Sequence, residues 1–309
     1  MAEKENILNN KYETQGTLKT LISKLKHNEN LYYAFTNAKV VFGLSLFSAV
    51  CLFALVGPYF TDYGIYEFAG AGAPAEMASP SLENPFGITA QGYDVFTRTV
   101  YGLRSTILVG FVGGFIASII GLIIGLIAGY KGGMVDELLM GLTNVFLTFP
   151  QLPILIVIAA YLPYRGITHM AVLVGLVIWP WTARAVRSQA LSLKNEEHVN
   201  LSRISANSTL RILVEDIAAN MFSYIFMVFI LQYMGTIMAT VGLEFLGLGP
   251  TRGVSLGLVM QRAVQGGALY LGYWWWAILP GLFLMLMIFA LYFINTGMDE
   301  VFNPELREM

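Results

Sequence analysis

TILVGFVGGFIASIIGLIIGLIAG, residues 106–129, contains no charged side chain and is long enough to cross a bilayer core as one helix. Five further segments approach that length and apolarity: 38–59, 138–162, 168–186, 217–242 and 274–296. The fourth of the six, 168–186, is the least apolar, because Arg184 and Arg187 crowd its end. Over all 309 residues the chain is 56% hydrophobic and 12% charged. A soluble domain carries about 25% charged residues. In hydrocarbon every backbone polar group must be satisfied internally, so six such segments predict an all-α integral membrane protein with six transmembrane helices.

The basic residues predict an orientation. With the N-terminus inside, 13 Lys and Arg lie on the inner side and five on the outer: Arg98, Arg104, Arg165, Arg252 and Arg262. Both termini are then cytoplasmic. The expected order is a cytoplasmic tail over 1–37, a first span over 38–59 and an extracellular loop over 60–100. A core with five spans follows over 101–298, and a cytoplasmic tail closes the chain over 299–309. In the first tail, Leu18, Leu21, Ile22 and Leu25 recur at helical spacing beside Lys19, Lys24 and Lys26. That pattern fits a short amphipathic helix on the membrane surface or a solvated tail. The leading polar stretch is too long for the charged region of a cleavable signal peptide.

Within 106–129, Gly110, Gly114 and Ser118 lie along one helix face, as do Gly121, Gly125 and Gly129. Small residues four apart let neighbouring backbones approach closely, so these mark helix packing. Pro150 and Pro280 are expected to interrupt the third and sixth spans. Gln232 and Tyr233 lie deep in the fifth, where they either line a polar cavity or bond across helices. Glu244 is the ionisable residue nearest to the membrane interior; it reads as a pathway residue or, with more weight, as an exposed acid beyond the end of the span. Cys51, alone, reads as a small buried hydrophobe. His27, His169 and His198 are scattered, and neither HExxH nor GxSxG occurs, so no catalytic residue and no metal site are assigned. A transporter or channel working alone usually carries paired charges within its spans, and these spans are nearly free of them.

KNEEHVNLSRISANS, residues 194–208, is polar between two apolar spans. Asn195 is placed to cap a helix whose first turn holds Glu196 and Glu197, with Val199, Leu201 and Ile204 as apolar contacts. The pattern stops at Ala206-Asn207-Ser208, and Ser208 caps a second helix running into the fifth span. The segment is either a handle for a soluble partner or a lid over the bundle.

This segment resembles the EAA loop of the permeases of binding-protein-dependent ABC importers. Glu197-His198-Val199-Asn200-Leu201-Ser202-Arg203 is similar to that family's EYVEAAR, with Asn200, Leu201 and Ser202 in place of E-A-A, Ala206 in place of the glycine, and Ala218-Ala219-Asn220 in place of L-P-N. Other stretches resemble the second, C-type permease of the dipeptide and oligopeptide branch. They are Asn84-Pro85-Phe86-Gly87-Ile88-Thr89 with Gly92-Tyr93-Asp94-Val95, Tyr101-Gly102-Leu103-Arg104, Gly129-Tyr130-Lys131-Gly132-Gly133 with Asp136-Glu137, Phe149-Pro150, Trp179-Pro180 with Ala183-Arg184 and Val186-Arg187, Phe245-Leu246-Gly247-Leu248-Gly249, Trp274-Trp275, Pro280-Gly281, and Asn303-Pro304-Glu305-Leu306-Arg307. The likeness covers about residues 40–307. Thr240 stands where the family usually has Glu, with Glu244 one helical turn on, and Val254-Ser255-Leu256-Gly257 replaces P-S-W-G.

The resemblance implies a type I ABC importer permease fold in the cell membrane and a transport subunit rather than an enzyme. It implies a B-type second permease, two ABC ATPase subunits, an extracellular solute-binding protein and membrane lipid as partners, and no nucleic acid. Glu197, Val199, Asn200, Leu201, Ser202, Arg203, Ala206 and Ser208 would form the helix that couples to the ATPases. The chain has no G-x-x-x-x-G-K-[ST] loop and no cofactor of its own is expected; ATP and magnesium would be bound by the ATPase subunits. Dipeptides or oligopeptides are the expected cargo, with oligosaccharides or another small solute as the alternative.

Overall fold

The computed structural model of the chain describes residues 33, 35–69 and 78–302. The expected amphipathic helix around Leu18–Leu25 and the Asn303–Arg307 motif lie outside these residues. Among the described residues, five helices are long and apolar enough to cross a membrane, and six spans result when the bent pair Gly133–Thr148 and Gln151–Tyr161 is counted as one. Helix α1 is Ala38–Val56, ending in a 3-10 turn at Gly57–Phe60. Helix α2 is Val95–Lys131, and the third span is α3, Gly133–Thr148, followed by α4, Gln151–Tyr161. Helix α5 is Ile167–Leu193 and α6 is the short Glu197–Ile204. One helical turn, Thr209–Arg211, widens into a π-helix at Ile212–Ala218, and α7 follows over Phe222–Phe245. Helix α8, Leu256–Gln265, and α9, Trp274–Phe302, complete the chain.

Helix α2 is the axis of the bundle. Its most extensive contact is with α5, followed by α7. Its small residues explain both. A Cβ on Gly110 would stand 2.1 Å from the Tyr233 ring, and one on Gly114 2.8 Å from the Tyr233 backbone, so that face is pressed onto α7. A Cβ on Gly121 would meet Thr182 at 2.4 Å, one on Gly125 the Ala183 carbonyl at 2.6 Å, and one on Gly129 Ala190 at 2.8 Å. Further along α2, the second set is therefore pressed onto α5. Helix α9 packs on α1, and Lys39 pairs with Glu300 where the two meet near one end of the bundle. At the other end, Arg165 donates to the Gly249 and Ala159 carbonyls, both at 3.1 Å, tying the α4–α5 and α7–α8 connections together.

Several sequence boundaries move. The second span begins at Val95, so the loop expected over 60–100 ends at Asp94, whose carboxylate caps α2 through the Thr97 N–H at 2.6 Å. Arg98 hid the extension: it is buried by protein rather than lipid, over the Tyr93 ring at 3.6 Å. The third span does more than kink, since α3 and α4 meet at 81° across Phe149-Pro150. Pro280, expected to interrupt the sixth span, sits inside a continuous α9, which runs on to Phe302. Pro180, inside α5, leaves that helix continuous as well. The fifth span begins at Phe222 rather than 217, because Ile212–Ala218 is wound as a π-helix.

Candidate functional site

The 194–208 segment projects as an elbow between α5 and α7. Asn195 does not cap it. Glu196 holds the N-cap position, without a side-chain bond, and the Asn195 carbonyl instead accepts from Asn200 Nδ2 at 3.2 Å. Glu197 lies in the first turn, favourable for the helix dipole. Val199 is 0% exposed and packs with Leu126, Val186, Ala190, Ile212, Leu213 and Ile217, which anchors the elbow to its own bundle. The opposite faces carry Leu201, Ile204 and Leu210, which are 57%, 82% and 72% exposed. The charge between them is local: Arg203 donates to Asn200 at 3.1 Å, and the Glu215 carboxylate beside Arg211 raises the guanidinium above its ordinary pKa.

The end of α6 is a Schellman turn. Asn207 N–H reaches the Ser202 carbonyl at 3.2 Å and Ala206 N–H the Arg203 carbonyl at 3.0 Å. Such a turn needs a left-handed residue at its corner, and Ala206 is that residue, with φ 54°. Asn207 Nδ2 also donates to Ser202 Oγ at 2.8 Å. Ser208 Oγ accepts from Arg211 N–H at 3.3 Å, so it caps the next turn. The elbow is tied to its two neighbours as well. Arg203 stacks on Tyr130 at the end of α2, and His198 Nε2 lies 3.3 Å from the Asp216 carbonyl of the π-helix.

Gln232, Tyr233 and Glu244 are not brought together. Tyr233 faces α2, where its hydroxyl donates to the Ile107 carbonyl at 3.1 Å. Gln232, on the neighbouring face, bonds to α5. Glu244 is not the exposed acid that its position suggested: it is 1% exposed, and Ser255 Oγ donates to its Oε1 at 2.5 Å. The reason is α8, which folds back against the last turn of α7. Gly257 lies so close that a Cβ there would stand 2.0 Å from Glu244 Oε2. Ser255 also caps α8 through the Leu258 N–H at 3.3 Å.

Sequence reading missed a polar face on the third to fifth spans. Arg184, exposed on α5, donates to Asn144 of α3 at 2.8 Å. Exposed Gln151, at the break between α3 and α4, and Trp181 of α5 line one cavity nearby. The signal available was Arg184 itself: a cation inside a span faces protein or water, not lipid. Asp136 and Arg187 form a two-pronged pair at 2.5 and 2.6 Å that ties α3 to α5.

Comparisons with known proteins agree with this architecture. Residues 121–308 match the family described as binding-protein-dependent transport system inner membrane component. The dipeptide transport system permease protein DppC of Bacillus subtilis (strain 168) is 29% identical over 88% of this chain and 83% of its own length. The oligopeptide transport system permease protein OppC of Haemophilus influenzae is 31% identical over 88% of this chain and 86% of its own. Among solved structures, a chain of the MetNI methionine ABC transporter in inward facing conformations shares the arrangement of helices. The TM-score is 0.50 at 20% identity, over 68% of this chain and 95% of that one.

Proposed function

The chain belongs to the family of binding-protein-dependent transport system inner membrane components, and from that membership we propose that it forms half of the pathway of an ATP-driven importer of dipeptides or oligopeptides. The peptide cargo is supported by the dipeptide and oligopeptide permeases among its relatives. Its partners are a second permease, two ATPase subunits that bind ATP and magnesium, and an external solute-binding protein. The elbow and both termini face the cytoplasm, as the excess of Lys and Arg on that side favours.

The observation that carries this reading is the two-sided elbow. Val199 is sealed into the bundle, while Leu201, Ile204 and Leu210 are presented outward. A lid would turn its apolar side chains inward. A handle needs one anchor and one apolar surface for the motor to grip, and this helix has both. Closure of the ATPase pair on nucleotide then moves the elbow and, through α5 and α7, biases a two-state bundle.

Leu201→Asp with Ile204→Asp, introduced into the native operonic complex, tests it. The double variant should insert normally but lose co-purifying ATPase and peptide uptake. Val199→Asp should instead destabilise the permease itself. If the doubly substituted chain still retains its ATPase and transports at the wild-type rate, the elbow is not the coupling element.

A further inference from the structure

A cavity of about 350 Å³ opens beside the break in the third span. Its apolar walls include Leu147, Ile178 and Leu231; its polar groups come from Gln151, Trp181 and Gln232; Gly235 forms part of its surface. No ionisable side chain lines it. Gln232 lies near the middle of α7 and is 5% exposed. Its Nε2 donates to the Ile178 carbonyl at 3.2 Å and to Thr182 Oγ1 at 2.5 Å. A backbone carbonyl can only accept, which fixes the amide with its nitrogen toward α5. Its Oε1 accepts no hydrogen bond among the described residues and lies 3.9 Å from where a Cβ on Gly235 would stand. An amide oxygen that faces an open cavity and has no protein donor is free to accept an N–H from an occupant.

The complementary groups stand at the same cavity. Gln151, the first residue of α4, makes no side-chain hydrogen bond among the described residues, and the N-terminus of α4 has no side-chain cap. Phe149 and Pro150 are exposed at the break. Irregular backbone at membrane depth is tolerated where protein covers it or where it lines a water-filled cavity. One acceptor, uncommitted donors and no charge are together complementary to a neutral amide.

We infer that this cavity is a subsite for the main-chain amide of the transported peptide, with Gln232 Oε1 accepting the peptide N–H and Gln151, at the start of α4, donating to the peptide carbonyl. The inference rests on the peptide-importer function proposed above. It assigns Gln232, Gln151 and Gly235 to the cargo and leaves side-chain identity unread, because every peptide carries the group that is recognised.

The test uses the complete importer with its receptor in proteoliposomes, comparing uptake of trialanine with the analogue N-methylated at its central amide. Both peptides meet the same receptor, so a change in their ratio on substitution belongs to this chain. The wild type should carry the methylated peptide about three- to tenfold more slowly, the range that one hydrogen bond supports. Gln232→Leu should carry both at one reduced rate. Because that variant also loses two bonds to α5, Gly235→Leu provides the decision: it fills the cavity with those bonds intact. It should abolish trialanine uptake while the complex still assembles and hydrolyses ATP. Full uptake by Gly235→Leu, or an unchanged ratio in a folded Gln232→Leu, overturns the subsite and leaves the importer standing. A wild-type complex that imports another solute and no peptide overturns both.

Discussion

The guanidinium carbon of Arg203 lies 5.0 Å from the centroid of the Tyr130 ring. One residue belongs to the elbow and the other to the last turn of α2, the helix around which the bundle is built. The contact gives the elbow a direct hold on a third span, besides the two that it joins.

A cation over an aromatic face contributes about 0.5–1 kcal/mol at an exposed site. Tyr130→Ala should therefore lower the amount of solute carried per ATP hydrolysed by roughly two- to fivefold, converting the same energy to a ratio. Tyr130→Phe keeps the ring and should preserve the coupling ratio. An unchanged ratio in Tyr130→Ala would show that α2 receives its motion by another route.

Ala206 occupies a left-handed corner at the position where the resembling loop has glycine. An L-residue with a Cβ costs about 1–2 kcal/mol in that conformation relative to glycine. Ala206→Gly should stabilise the elbow by about 1 kcal/mol after the added chain entropy of glycine is subtracted. Slower amide exchange over 199–208 is the expected reading, and faster exchange would contradict the strain.

The face of α2 that meets α5 leaves no room for a side chain. In Gly125→Ala the new Cβ would stand 2.6 Å from the Ala183 carbonyl and 2.7 Å from Val186 Cβ. Overpacking of this kind costs about 1–3 kcal/mol. Gly141→Ala, on α3 with nothing within 4 Å, is the control. It should be neutral or stabilising by up to about 1 kcal/mol. Thermal unfolding in detergent separates the two, and equal midpoints would argue against the close approach.

Much of this was legible from apolar length and small-residue spacing. The run at 106–129 is a single helix, and its small residues mark where neighbouring helices press on it, because both features depend on local period alone. What escaped depends on tertiary cover. Arg98 and Thr99 read as loop because their burial comes from protein at the end of the bundle. Glu244 read as exposed because α8, which seals it, is a short helix of ten residues with no strong start signal beyond Ser255. Pro150 announced a disturbance in the third span, but no local rule gives an 81° bend. Asn195 had the right chemistry for a cap, and the chain set Glu196 there instead.

The π-wound stretch Ile212–Ala218 sits between the elbow and the fifth span. A π turn holds more residues than an α turn, so the segment contains slack that an ordinary helix lacks. Rewinding it as an α-helix would advance the sequence by one position, and one position corresponds to about 100° of rotation and 1.5 Å of rise. The joint thus carries one spare residue of winding between the elbow and α7, and giving it up would turn the elbow about the span's axis while the core side chains of α7 keep their contacts.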